Sequence, residues 1–472
     1  MKSLSAYLLW ASLAIVHTWL FFQEEMGVNA LIFSVLMIAG VTWQHNLAHE
    51  KVWRMAAGGH LLAALGVFWH GISVAIPIYH LSAFLLPGFV YAIRSRFPVA
   101  FINGVVATFG GGIVSWLFST MSNHTRTGIE PKGLASSAKQ TFTLYLAPLL
   151  VTVLFYFLYA NANPDFAFDI SISEWNLNWD AILYTLLGFV ILCPLFFSWG
   201  IKGIENLDAK ISNYVVPSRS KSFSKSGFLT ENKQGVILFG MLNGLIAIFL
   251  VFNVLQIFIP SLNSVTRNHS EQVHQGFETL MVSIAAAIGL IMFYFRGNQN
   301  FFSGKKPLVN LAALWIFLNG ALVAFTTYKN MEYVAAYGFT YKRIFVFGAM
   351  VLTGIGLILT YRKIQQLQSN WTLISQNCWV IYFVLTISAV VDWDRMISYY
   401  NIHCAKALDV AYFSEVGLNK LPYLKDLREQ NDPRLIGHEK EVNDMLNYKV
   451  PEDKSWKSIT LDKQWLRREL SK

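Results

Sequence analysis

The 472-residue sequence predicts an all-α, polytopic transmembrane helix bundle, on three observations. Apolar side chains make up 54% of it and charged ones only 14%, with a mean hydropathy of +0.42. A soluble domain carries about a quarter charged residues. Apolar runs of span length recur along the chain. The charge is also segregated: residues 392–472 hold 14 basic and 14 acidic side chains, 35% of that stretch, whereas the preceding 391 residues are 9% charged and carry the whole net +9. A membrane-embedded part, 1–391, is therefore followed by a polar C-terminal tail, 392–472.

A hydrocarbon core about 30 Å thick needs roughly 20 apolar residues per helix, because lipid offers no partner to free backbone groups. Runs meeting this length fall at 4–22, 28–44, 52–70, 72–91, 141–160, 179–201, 234–259, 277–295, 309–328, 344–360 and 371–391. That makes eleven crossings. A twelfth run, 99–118, is interrupted by Gly110, Gly111 and Gly112, each about 1 kcal/mol unfavourable inside a helix, and reads as a re-entrant segment. Basic residues flanking spans set orientation. The loop 161–178 has none, whereas 202–233 has Lys202, Lys210, Arg219, Lys221, Lys225 and Lys233, which marks it as cytoplasmic. Alternation then places Arg94, Arg96, Arg126, Lys132, Lys139 and the N-terminus inside and the tail outside. Cytoplasmic segments so assigned carry 19 basic residues, and outer loops only Arg267, Lys329, Lys342 and Arg343. The first span has no small-residue cleavage site after it and reads as retained. In the tail, Phe413, Val416, Leu421, Leu424 and Leu427 recur at near-helical spacing, as do Leu461, Trp465 and Leu470. Eighty residues make a small core, so the tail is expected to be mainly helical and docked on the outer face of the bundle.

Candidate chemistry is sparse. His45, His49, His60, His70 and His80 cluster in sequence, and His45 and His49 share a helical face with Glu50 beyond. Paired imidazoles can bind zinc or haem; a wet loop with structurally satisfied rings is the favoured reading, and no cofactor is expected. Cys193, Cys378 and Cys404 have no metal or redox spacing. Asn103, Asn243, Asn253, Asn319 and Asn377 lie in spans, where amides bond helices together for about 0.6–2 kcal/mol; a cargo pathway is the alternative. No acid sits at a span centre, which weighs against proton coupling. The basic and hydroxyl-rich stretch 218–225 suits anionic headgroups or topology setting alone, and nucleic acid is not an expected partner. One group stands out. Glu271, His274 and Glu278, then Lys342 and Arg343, then Asp392, Asp394 and Asn401 come from three stretches to the outer face. They suit a ligand site or a structural polar cluster. No HExxH element, phosphate loop or nucleophile–base motif occurs, so enzymatic activity is not favoured.

From about Trp175 onward the residues resemble a family. The stretches are SEQVHQGF (270–277), FRGNQNF (295–301), YGFTYKRI (337–344), WDRMISYYN (393–401), Asp409, LPYL (421–424) and SWKS (455–458). In order and spacing they resemble the large bacterial family of multi-pass membrane proteins classed as a domain of unknown function, in its Bacteroidetes-type form. The first 170 residues agree with it only in being hydrophobic. Phe339 stands where the family usually has Leu. The resemblance implies a multi-pass inner-membrane protein and no particular activity. Its motif residues include Glu271, His274, Lys342, Arg343, Asp394 and Asn401 on the outer side and Arg296 and Asn300 on the cytoplasmic side. The leading expectation is a non-enzymatic envelope protein that binds a partner or small ligand in the periplasm. A transporter or lipid-handling carrier is the second reading, and a membrane-embedded metal or haem enzyme the third.

Overall fold

The computed structural model describes residues 2–71, 74–111, 152, 178–217, 225–259, 269–405, 408–448, 450, 452 and 455–471. Among these residues there is no strand, only an isolated bridge between Tyr214 and Gln368. Among the described residues seven helices are long and apolar enough to cross a membrane: Leu4–Phe21, Val28–His45, Trp179–Phe196, Gly227–Gln256, Lys306–Tyr337, Tyr341–Gln365 and Asn370–Ser388. Each coincides with a run read from the sequence. The run at 141–160 and the glycines at 111–112, apart from the backbone of Gly111, lie outside the described residues, as does most of 218–225. The chain divides into two compact units, Met1–Asp208 with Glu452–Leu461, and Ala209–Pro451 with Asp462–Lys472.

In the first unit, α1 (Lys2–Phe21), α2 (Val28–His45), α3 (Lys51–Trp69) and α7 (Trp179–Phe196) are full-length helices. The run 72–91 is broken into α4 (Ala75–Ala83) and α5 (Leu85–Tyr91). Pro87 explains the break: it has no N–H to donate, and its ring would meet the carbonyl one turn back. The run 179–201 likewise stops at Phe196, just after Pro194. α6 (Phe97–Val106) passes into a π-helical turn at Ala107–Gly111. α5 and α6 touch backbone to backbone, since a Cβ at Gly88 would collide with the Ala100 carbonyl and one at Gly104 with that of Phe84. α8 (Lys202–Lys210) is tied back by a half-buried pair, Arg96 Nη1 to Asp208 Oδ1 at 2.7 Å, with the Arg96 N–H also donating to Asp208 at 2.9 Å. The tail segment 455–460 lies on the loop that joins α1 to α2. There Val28 N–H donates to Ile459 O (3.0 Å), Ser455 Oγ donates to Glu24 (2.7 Å), and Lys457 pairs with Glu24 at 3.4 Å.

In the second unit, α9 (Lys225–Phe258), α10 (His269–Tyr294), α11 (Lys306–Tyr337), α12 (Tyr341–Gln365) and α13 (Asn370–Ser388) follow one another. Phe239, Ile284, Ile291, Leu308, Trp315 and Met350 form their core. On α9 the opposite row, Ile237, Met241, Leu245 and Ile248, is exposed at helical spacing. Exposed apolar rows of this length are stable against hydrocarbon and not against water. The tail supplies α14 (Trp393–His403), α15 (Val410–Glu415), α16 (Leu421–Glu429), α17 (Glu439–Leu446) and α18 (Leu461–Leu470). Phe413, Leu424 and Leu427, with Ile402, Leu435 and Val442, make the small core. The face of α18 differs from its apolar spacing: Asp462 and Leu466 are buried while Leu461 is exposed. Polar contacts described below turn it.

Candidate functional site

The helices of the second unit have two ends, and the two sets of motif residues separate onto them. At one end α11 stops at Gly338, whose φ of +79° a side chain would resist. α12 restarts at Tyr341, with the Thr340 hydroxyl accepting from Arg343 N–H at 3.3 Å. Asn401, on α14, grips this turn at two points. Its Oδ1 accepts from Phe339 N–H (2.5 Å), and its Nδ2 donates to Phe339 O (2.9 Å). A Cβ at position 338 would run into that carboxamide. Tyr341 then donates its hydroxyl to Asp394 Oδ1 at 2.7 Å, and its backbone N–H donates to Tyr412 Oη at 2.8 Å. Arg343 turns back on its own turn, donating to the Tyr337 carbonyl (2.9 Å) and to Gly338 O, with its guanidinium 4.1 Å above the Tyr333 ring. The Phe339 ring packs on Tyr400 at 4.6 Å, which gives the larger side chain a place.

Behind this turn the tail is held by charge. Lys420 Nζ donates to three carbonyls, Phe413 (2.8 Å), Ser414 (2.7 Å) and Val416 (2.7 Å). Burial lowers its pKa, with the nearby Asp394 carboxylate pulling the other way. Asp392 caps α14 by accepting from Arg395 N–H at 3.0 Å. Arg395 Nη2 donates to Asp462 Oδ1 at 2.6 Å and its guanidinium stacks 3.8 Å from the Trp465 ring. Asn419 bridges Asp392 and Asp462. Burial and the Asp392 charge push the Asp462 carboxyl up to about 6. These contacts are why α18 buries Asp462.

Of the outer group read from the sequence, Arg343, Asp394 and Asn401 meet in this joint, with Asp392 beside it. Lys342 is exposed. Glu271, His274 and Glu278 lie on α10, and their side chains are outside the described residues. Tyr341, Tyr412, Asn419, Lys420 and Asp462 were not singled out. Tyr341 and Gly338 sit inside the YGFTYKRI stretch, which was the available signal. Among the described residues Asn401, Asp394, Tyr341 and Arg343 of the joint are each met by one another or by backbone, while Asn330, which donates to Arg343 O at 3.1 Å, keeps an unpartnered Oδ1.

The other end holds Arg296 and Asn300. Asn300 Nδ2 donates to Gly297 O at 2.8 Å and closes a 3-10 turn, Asn298–Phe301. Lys363 Nζ, buried, donates to Phe295 O at 2.9 Å. Beside the turn lies a cleft of about 520 Å³, lined by Arg296, Gln299, Glu231, Tyr294, Asn370 and Trp371 among others. Gln299 is 4% exposed, and among the described residues both its Oε1 and Nε2 lack a hydrogen-bond partner. A buried unpaired polar group costs about 1–3 kcal/mol.

The span amides are only partly occupied: Asn103 Oδ1 accepts from Ile201 N–H at 2.8 Å, while Asn103 Nδ2 and Asn243 Oδ1 are buried without a partner among the described residues. Asn319, Asn253 and Asn377 donate to carbonyls of their own helices, at 2.7, 2.7 and 2.9 Å, and Asn243 donates across to Leu311 O at 3.0 Å. The histidines do not converge. His45 Nε2 bonds to Leu195 O (2.8 Å), His60 sits between Ser34 (3.1 Å) and Ser82 (2.8 Å), and His49 is exposed. Among the described residues no group of three or more His, Cys, Asp or Glu is placed to hold a metal ion.

Several long helices with apolar exteriors, joined by polar turns, define a multi-pass membrane protein. The chain belongs to the family Domain of unknown function (DUF4153), which matches residues 6–427. The match starts in α1, so the N-terminal helices that agreed only in hydrophobicity are part of the family, and it ends in α16. No curated protein and no solved structure matches the chain.

Proposed function

We propose that this is a non-enzymatic protein of a bacterial inner membrane whose C-terminal tail is held at the periplasmic face as a platform for a partner or small ligand. In this reading the chain crosses eleven times, with 99–118 dipping in and returning. The N-terminus is cytoplasmic. Sidedness within each unit agrees with it. Segment 455–460 lies on the loop after α1, the side opposite His45 and Leu195. In the second unit Lys233, Arg296, Lys305 and Arg362 gather at the end away from Asp394 and Asn401, as expected for a cytoplasmic end.

The observation that carries the platform reading is the two-point hold of Asn401 on Phe339, seconded by Tyr341 on Asp394. The polar residues that looked like a ligand site instead fix the first tail helix to a turn between two long helices. A tail so held can present a fixed surface, on which Ile436, at 74% exposed, is a prominent apolar point. The test is complementation of a gene deletion profiled against envelope stresses and candidate solutes. Asn401→Leu protein at normal membrane levels should fail to restore the phenotype, and so should tail-surface variants such as Ile436→Lys. Full restoration by both would end the platform reading.

A further inference from the structure

The cleft beside the Asn298–Phe301 turn has a donor and acceptor set that the fold leaves open. Gln299 offers an amide donor and an amide acceptor, both buried and unpartnered. Asn370 uses its Nδ2 on Met292 O at 3.0 Å, and its Oδ1 is buried with no partner. At the rim the Arg296 guanidinium is 49% exposed; it stacks 3.7 Å from the Phe293 ring, donates to Phe293 O at 3.2 Å and lies 3.5 Å from Glu231. The charges of the lining therefore cancel, one guanidinium against one carboxylate. A simple anion would find the cation but leave the Glu231 carboxylate beside it and the Gln299 and Asn370 oxygens, buried among the lining residues, unmet. A group carrying a phosphate and an ammonium a few bonds apart satisfies both halves: donors for the phosphate, acceptors for the ammonium. Tyr294 and Trp371 supply apolar, interface-type walls. The cleft lies where α10 ends and α13 begins, the level at which headgroups sit.

We infer that this cleft binds one zwitterionic phospholipid of the phosphoethanolamine class, its phosphate on Arg296 and Gln299 Nε2, its ammonium on Gln299 Oε1, Asn370 Oδ1 and Glu231. Asn300 acts as a positioning residue, closing the turn that presents Gln299. The inference does not depend on the platform reading, since the cleft and the tail joint lie at opposite ends of the same helices.

Native mass spectrometry of the full chain, released from detergent after incubation with phosphatidylethanolamine, phosphatidylglycerol or soluble O-phosphoethanolamine, tests it. One phosphatidylethanolamine should bind at least about tenfold more tightly than one phosphatidylglycerol, and more tightly than the soluble headgroup. Gln299→Leu should abolish that preference, whereas Arg362→Gln, a cation at the same end outside the lining, should keep it. Equal binding of the two lipids would mean general surface charge and overturn the proposal. Equal binding of O-phosphoethanolamine would replace the lipid by a soluble ligand. An unchanged preference in Gln299→Leu would remove the site. Should that variant fail to fold, the comparison on the unmodified chain still decides.

Discussion

The two ends of the second unit use similar residues to opposite effect. At the Tyr341 end an asparagine, an aspartate and an arginine each face a partner: Asn401 on Phe339, Asp394 on Tyr341, Arg343 on the carbonyls of its own turn. At the Arg296 end a glutamine is as deeply buried, yet neither of its polar atoms is met. A polar group buried with its partner holds structure, and one buried without a partner lowers stability until something binds. Burial and residue type alone do not separate the cases. The accounting of partners does.

Substitutions can break this contrast. Asn401→Leu should have the largest effect, about 2–4 kcal/mol of lost stability, because it leaves the Phe339 N–H and C=O unpaired. Limited proteolysis should then cut within the tail while membrane insertion persists. Tyr341→Phe removes one hydrogen bond to a carboxylate and should lose about 1.5–3 kcal/mol by thermal unfolding. Gln299→Leu should go the other way, with stability unchanged or raised by about 1 kcal/mol in lipid-free detergent, since it removes two unsatisfied atoms.

A smaller effect concerns pH. The Asp462 carboxyl titrates near 6 when folded and near 3.9 when unfolded. The folded state thus holds its proton more tightly, so this group favours folding below about pH 4, loses that contribution as pH rises through 6, and adds nothing further above. Tail stability should fall between about pH 4 and 6 and level off above, and Asp462→Asn should flatten that slope. Smallest of all, Lys342→Ala should change stability by less than about 0.5 kcal/mol, as expected of an exposed side chain.

Much of the fold was legible because lipid imposes a length and a composition that few other environments do. Among the described residues all seven helices long and apolar enough to cross a membrane were found from apolar runs, and the division of basic residues placed Arg296 and Asn300 at the end opposite Asp394 and Asn401. The break at Phe84 was available in Pro87 but needs the carbonyl clash, which hydropathy does not register. The joint was half legible. Asn401 and Asp394 could be named, but not what they bind, because Phe339 contributes its backbone and lies 62 positions away. Gln299 left no signal beyond its place in FRGNQNF, since an amide has neither periodicity nor charge. The spacing of Leu461, Trp465 and Leu470 marked α18 as a helix but not its buried face, because the contacts of Asp462 with Arg395 and Asn419 outweigh the exposed Leu461.

The most direct measurement is thermal unfolding of Asn401→Leu and Gln299→Leu, side by side in one lipid-free detergent. The contrast predicts opposite signs: a clear loss of melting temperature for the first and none, or a gain, for the second. If Gln299→Leu lost as much as Asn401→Leu, Gln299 would be a structural bond like the others, and the two ends would not differ in kind.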